Sequence, residues 1–531
     1  MAKKYLEKLL VDGNEINVVA TRGAIVDKKY TTEARKIASF MINKLGLSFG
    51  NVEFKILDND EFAENVALYE MPLPSWEAGQ EKLLQEDRMK YRQGVLYEMV
   101  GHPFYNRLER KEYTTVFINQ NDTYDEILSV MAHVYGHLHI EYNNKLAKSV
   151  HSNYNKHEFY RDRYREMEKI LSIEQLEQLY DHAQTLSGLM DLFPDFHKAK
   201  KSDYYSTERI NPNSDVYDVY KFTLNNVKFN PWEKELLEMM YDINQLMKTA
   251  RIKIMHEGFA TFVEDKYATE VAKTDAGTAF KMREGILRVA DVLSPSQLPY
   301  YLGFRLFKDI ENRWNEGRHG PLYELLSEDE KRNYIKREDK GLFEILEIVK
   351  SYTDWDFIFS YADNDFFKKL AKEIEEKTNK LIERQYADSP ANVVNMVKDY
   401  YNKKIDPNIF RFQLLMRTEN YGPMLYVPKG SFNGDRLILR QDLSFLKRYT
   451  GIIPEEQRKN FEREAAQMFG LYNEDAGEKQ ETALALNRIA SLWNIPVSLE
   501  TMNKEGKPLT VTSNGKKIDV SEKGDGPKLD D

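Results

Sequence analysis

Apolar positions change their period twice along the chain. INVVA (16–20) and VEFKIL (52–57) read as short strands, and Ile37, Phe40, Met41 and Leu45 between them mark one face of a helix. From about residue 125 to about residue 400 the period is helical. Ser172 with Gln175 forms a capping-box pair, and Asn230-Pro231 with Glu233 opens a further helix. Residues 201–230 lack a clean period and read as a long irregular connector. Strand signals return in FRFQLLMRT (410–418), PMLYVP (423–428) and RLILRQ (436–441). A helix over Ala483–Trp493 and a last strand, IPVSLET, follow.

This pattern predicts a mainly α protein with α+β N-terminal and C-terminal parts. The expected divisions are a small α+β region over 1–70, a mainly helical core over 71–404, an α+β domain over 405–520 and a mobile tail over 521–531. At 531 residues the chain is long enough for more than one structural unit, and 41% apolar and 12% aromatic residues are ample for a folded core.

Composition narrows the chemistry. The 86 acidic and 76 basic residues are interspersed and leave a net charge of −10, which disfavours a chain built to bind nucleic acid. There is no cysteine, so thiolate metal sites, disulfides and cysteine nucleophiles are excluded, and a metal must be held by His, Asp or Glu. No signal-peptide core and no run of about 18 apolar residues occurs, so the expected location is cytoplasmic, without membrane insertion. No Walker motif or dinucleotide fingerprint points to a nucleotide cofactor.

The most informative segment is DEILSVMAHVYGHLHIEYNN (125–144). Its apolar residues surround the helix, which predicts burial. His133 and His137 are four apart and share a face, the spacing by which zinc-dependent helices present two imidazoles; His139 lies about 200° around from His137. A second apolar helix, ARIKIMHEGFATFVEDKY (250–267), carries Glu257, and a buried carboxylate needs a partner. An H-x-x-x-H helix crossed by a helix bearing Glu-Gly-aromatic-Ala is the arrangement of zincin-like hydrolases. It predicts a zinc site of His133, His137 and Glu257 with water in the fourth position.

Zinc peptidases place a glutamate immediately after the first histidine as general base, and this chain has Val134 there. Three readings follow. Glu98 or His256 approaches the water as the catalytic group; or the metal is structural; or there is no metal and the histidines are hydrogen-bonded core residues. His182, on the inward face of LEQLYDHAQTLSGL (176–189), is a further ligand candidate, read otherwise as a helical histidine bonded to a carbonyl or water. Trp76, Gly79, Tyr91, Gly94, Tyr97 and Glu98 line a pocket or pack in the core. Asp309, Glu311 and Arg313 form a buried ion network or a solvated helix face.

Seven segments, taken in order, resemble the SpoVR-like family: MPLPSWEAG (71–79), YRQGVLYEMV (91–100), MAHVYGHLHIEYNN (131–144), WEKELLEMMYDINQ (232–245), IKIMHEGFATF (252–262), YYLGFRLFKDIENRWNEG (300–317) and TALALNRIASLW (482–493), the last followed by IPVSLET. His133, His137, Asn143, Asn144 and Glu257 stand at matching positions. The chain departs from the family at His139, Ile140 and Glu141, has His256 where Asn is common, and lacks the usual Pro-Gln before Ile252. The resemblance implies a role in spore formation, specifically the cortex, or in stress response. It also implies a PrkA-type serine protein kinase and a von Willebrand-like protein as partners. Beside the hydrolase expectation stands a non-enzymatic scaffold or regulator that docks such partners.

Overall fold

The computed structural model describes residues 8–62, 98–100, 104–106, 111–148, 166–191, 215–244, 251–290, 297–318, 340–387, 389–402, 425–441, 481–502 and 508–521, with a few isolated positions besides. The chain divides into two compact units, each built from two segments: Met1–Tyr154 with Arg251–Lys398, and Asn155–Ala250 with Asp399–Asp531. Among the described residues the protein is mainly helical, with strands confined to its N-terminal and C-terminal parts, as the apolar periods predict.

In the first unit β1 (Leu9–Val11) and β2 (Asn14–Ile16) form a hairpin. Beside it β3 (Val18–Arg22), β4 (Ile25–Val26), β5 (Asn51–Leu57), β6 (Glu98–Val100), β7 (Phe104–Asn106) and β8 (Lys111–Asn119) make one sheet in the order β4-β3-β5-β8-β6, with β7 also on β8. β3, β5 and β8 are parallel, in a register that sets Val18 against Val52 and Phe54 against Val116. Parallel strands need a crossover, and between β3 and β5 it contains the helix Lys28–Leu45. This helix starts at Asp27, whose carboxylate accepts the Tyr30 N–H at 3.1 Å, and buries Tyr30, Ala34, Ile37, Ala38, Met41 and Leu45 on one stripe.

Beyond β8 a four-residue turn leads into the histidine helix, Tyr124–Asn143. Glu126 in its first turn accepts from the Thr123 N–H and hydroxyl at 2.8 and 2.9 Å, and with Asp125 it complements the helix dipole. Thirteen consecutive or near-consecutive residues from Ile127 to Ile140 are buried, so this helix is enclosed on every side. The glutamate helix, Lys253–Val271, packs on it, and the buttress helix, Leu298–Asn315, packs on the glutamate helix. Phe259, Phe262, Phe307 and Phe357 form a continuous aromatic cluster there, with centroids 4.6 to 6.4 Å apart.

In the second unit β9 (Leu425–Tyr426), β10 (Leu437–Gln441), β11 (Val497–Met502), β12 (Pro508–Ser513) and β13 (Ile518–Ser521) form a sheet in the order β13-β12-β11-β10-β9. β10 and β11 are parallel, and the helix Glu481–Trp493 lies in the connection between them. The expected helix starts are present. Ser172 and Gln175 cap each other, as do Asn230 and Glu233. FRFQLLMRT is not the expected strand. Its described residues Phe410, Arg411, Leu414 and Leu415 are helical, and Phe410 with Leu414 fits a helical spacing as well as an extended one. Among the described residues no helix is long and apolar enough to cross a membrane.

Candidate metal centre

Small residues set how closely the helices approach. A Cβ on Gly136 would lie 2.6 Å from the Ala260 Cα, and one on Gly258 would run into the backbone of Gly303. The glycine of HVYGH therefore admits the glutamate helix, and the glycine after Glu257 admits the buttress helix. With the backbones this close, short side chains on facing stripes meet. His133 faces Glu264, His137 faces Glu257, and Glu141 faces His256, so the two helices run antiparallel.

Three atoms converge between them. His137 Nε2 lies 3.4 Å and His133 Nε2 lies 3.7 Å from Glu257 Oε2, and the three side chains offer ligand atoms all within 4.8 Å of one another. All three residues are buried, and Glu257 Oε2 makes no hydrogen bond. The two separations are long for hydrogen bonds. They match the edge of a tetrahedron whose centre lies about 2.0–2.1 Å from each vertex, which is about 3.4 Å. A buried oxygen facing two imidazole nitrogens at that spacing could hold a metal ion.

The surrounding groups prepare the donors. Burial, reinforced by the neighbouring His256, holds His137 well below the ordinary histidine value in spite of Glu257, so its ring is neutral. Burial pushes the Glu257 carboxyl up, but His137, His133, Lys253 and His256 together outweigh it and hold the group well below the usual carboxylate range. Lys253 also contacts the carboxylate directly. It hydrogen-bonds Glu257 Oε1 from one turn earlier on the same helix, leaving Oε2 as the free donor. His133 Nδ1 meets Glu264 Oε2 at 3.1 Å, and Tyr300 stacks on the His133 ring with centroids 6.1 Å apart.

The expected residues fall in several places. His133 and His137 share a helix face, as their spacing predicts, and Glu257 of the second helix lies beside them. His256 stacks on His137 with centroids 4.0 Å apart and planes 20° apart, and its Nε2 is 3.7 Å from Glu141 Oε1. Glu98 stands on β6, paired with Ile118 of β8; its side chain lies outside the described residues, as do Trp76, Gly79, Tyr91, Gly94 and Tyr97. His182 lies on the helix Ile173–Ser187 of the second unit, with a buried Nδ1 that has no hydrogen-bond partner. His139 points away from the centre. Its Nδ1 accepts the Ser48 N–H at 3.0 Å, and burial takes its value down to about 4.

The two asparagines that end the motif are structural. Asn143 donates to the His139 and Ser48 carbonyls. Asn144 donates to the carbonyls of Val349 and Tyr352 and accepts from the Leu146 and Ala147 N–H groups. Together they pin the C-terminal end of the histidine helix. Glu264 and Lys253 are the site residues that motif reading overlooks. Each was detectable as a charged residue at helical spacing from Glu257, seven after it and four before it.

The fold and the site thus define a helical protein with a buried pair of histidines and a carboxylate able to hold a metal ion. The family model for SpoVR-like proteins matches residues 27–210 and 188–394, so the chain belongs to the SpoVR-like family, the sporulation-related family its motifs resemble. No curated protein and no solved structure matches the chain.

Proposed function

We propose that this SpoVR-like protein is a zinc-dependent hydrolase with a zincin-like helical core, acting on amide bonds of peptides or cell-wall precursors in sporulation or stress. The observation that carries this reading is the convergence of three buried side chains, with His137 Nε2 3.4 Å and His133 Nε2 3.7 Å from Glu257 Oε2 and ligand atoms of all three within 4.8 Å of one another. Zinc held there supplies Lewis acidity and a nucleophile drawn from water near neutral pH.

The chain's own groups do the rest. Lys253 holds the second oxygen of Glu257, so the carboxylate presents one donor. Val134 is fully buried and contributes no base. In this reading His256 takes that role, since an imidazole beside a carboxylate, here Glu141, is the ordinary composition of an enzymic base. Glu98 on β6 is the other group for it. A PrkA-type kinase and a von Willebrand-like protein are the proposed partners, and the cytoplasm the proposed location.

The test is elemental analysis of the purified chain beside His133→Ala and Glu257→Ala, each checked for folding by circular dichroism. Near-stoichiometric zinc in the parent, absent from both folded variants, is expected. His256→Ala should keep its metal and lose about 10²–10⁴-fold in amide hydrolysis. Iron in place of zinc would replace hydrolysis with oxygen chemistry, because two histidines and one carboxylate with open positions also suit iron(II). A metal-free parent that takes up nothing on reconstitution overturns the proposal and leaves the scaffold reading.

A further inference from the structure

Glu264 is a carboxylate at 5% exposure on the buried side of the glutamate helix, and the chemistry above does not use it. A buried carboxylate is costly unless something specific faces it. What faces it is His133. Seven residues after Glu257, Glu264 sits two turns along nearly the same stripe, and its Oε2 reaches His133 Nδ1 at 3.1 Å.

One imidazole therefore lies between two buried carboxylates, which admits two arrangements. Either the ring is a cation that donates to both, or it is a neutral ring that donates to one and offers a lone pair toward the other. The distances separate them. The Nδ1 side, at 3.1 Å, is within hydrogen-bond range, whereas the Nε2 side, at 3.7 Å from Glu257 Oε2, is not. With Glu264 as the acceptor, His133 carries a proton on Nδ1, and its Nε2 lies toward the point where Glu257 and His137 also converge.

We infer that Glu264 is a positioning residue of the metal centre: its hydrogen bond fixes the tautomer and the plane of His133 and so sets how tightly the centre holds its ion. The inference rests on the proposed metal-binding reading. It also gives the two histidines different surroundings: His133 is held through Glu264, whereas His137 Nδ1 has no hydrogen-bond partner and its ring stacks on His256.

The test titrates the chelator-stripped full chain with Zn²⁺ against a chromophoric competitor, for the parent, Glu264→Ala and Glu264→Gln. Thermal unfolding of each metal-free form is recorded alongside. Removing such a partner typically weakens metal affinity about 10–100-fold, and Glu264→Ala should lose that much. Glu264→Gln keeps an acceptor oxygen, so it should recover part of the loss, and it decides the matter if the alanine variant fails to fold. Both folded variants binding Zn²⁺ as tightly as the parent, with only the metal-free unfolding temperature lowered, would make Glu264 a structural residue and overturn the inference. A parent that binds no Zn²⁺ overturns the underlying reading instead, so the two failures are distinct.

Discussion

At position 134 a valine stands where a zinc peptidase would carry its general base, and its surroundings explain why a glutamate there would not serve. Val134 is fully buried, on a helix whose every face is enclosed. A carboxylate placed there would be taken wholly out of water, and an uncompensated buried charge costs on the order of 3–5 kcal/mol. Val134→Glu should therefore lower the thermal midpoint markedly without raising amide hydrolysis. A folded variant with higher turnover would show that position 134 faces the centre after all. The same residues show what a sequence discloses at this scale. The pairing of His133 with His137 is a property of one helix, and Glu257 declares itself as a carboxylate in an apolar stretch. Glu264 has an equally regular spacing, but nothing local says that its neighbour across the interface is an imidazole nitrogen 131 positions away. Placing His182 in the second unit is a tertiary fact of the same kind.

Whole elements are held by groups that no local motif announces. The glutamate helix has Ile252 at its N-cap, which offers no side-chain acceptor, so its first N–H groups need another source. Asp354 supplies it from the start of the helix Asp354–Tyr361. Its two oxygens accept from Ile254 and Met255 at 2.7 and 2.8 Å. Capping rules scan a few residues either side of a helix start and therefore overlook a cap 99 to 100 positions away. Burial pushes the Asp354 carboxyl up to about 8, against the two N–H bonds and the nearby Arg251 and Lys253.

Because the folded value lies above the ordinary one of 3.8, this group's contribution to stability is whole below pH about 4. It is lost as pH rises through about 8. The urea midpoint of the parent should thus fall between pH 5 and pH 8.5. Asp354→Asn should remove that component, flattening the profile, while costing about 1–3 kcal/mol at pH 5, where one N–H loses its acceptor. Parallel profiles for the two proteins would show that Asp354 does not titrate in this range.

At the scale of the molecule, every group of the proposed centre belongs to the first unit, although the two helices that build it are contributed by different segments of the chain. His133 and His137 come from Met1–Tyr154, and Glu257 and Glu264 come from Arg251–Lys398; residues 155–250, which separate them in sequence, belong to the second unit. Periodicity finds the helices and the strands at either end because each is a local property. It does not reveal that the chain leaves one unit and returns to it, since no composition shift marks residue 154 or 251. This division gives metal binding a location.

An ion that joins the histidine helix to the glutamate helix binds only the folded first unit. At 100 times its dissociation constant it stabilises that unit by about 2.7 kcal/mol. Hydrogen–deuterium exchange with and without saturating Zn²⁺ should show slower exchange over Tyr124–Asn143 and Lys253–Val271. It should show no change over β10 to β13 or the helix Glu481–Trp493. Equal protection in both units would mean that they unfold as one cooperative body. Protection confined to the second unit would move the ion away from the two histidines altogether, toward the unpartnered Nδ1 of His182.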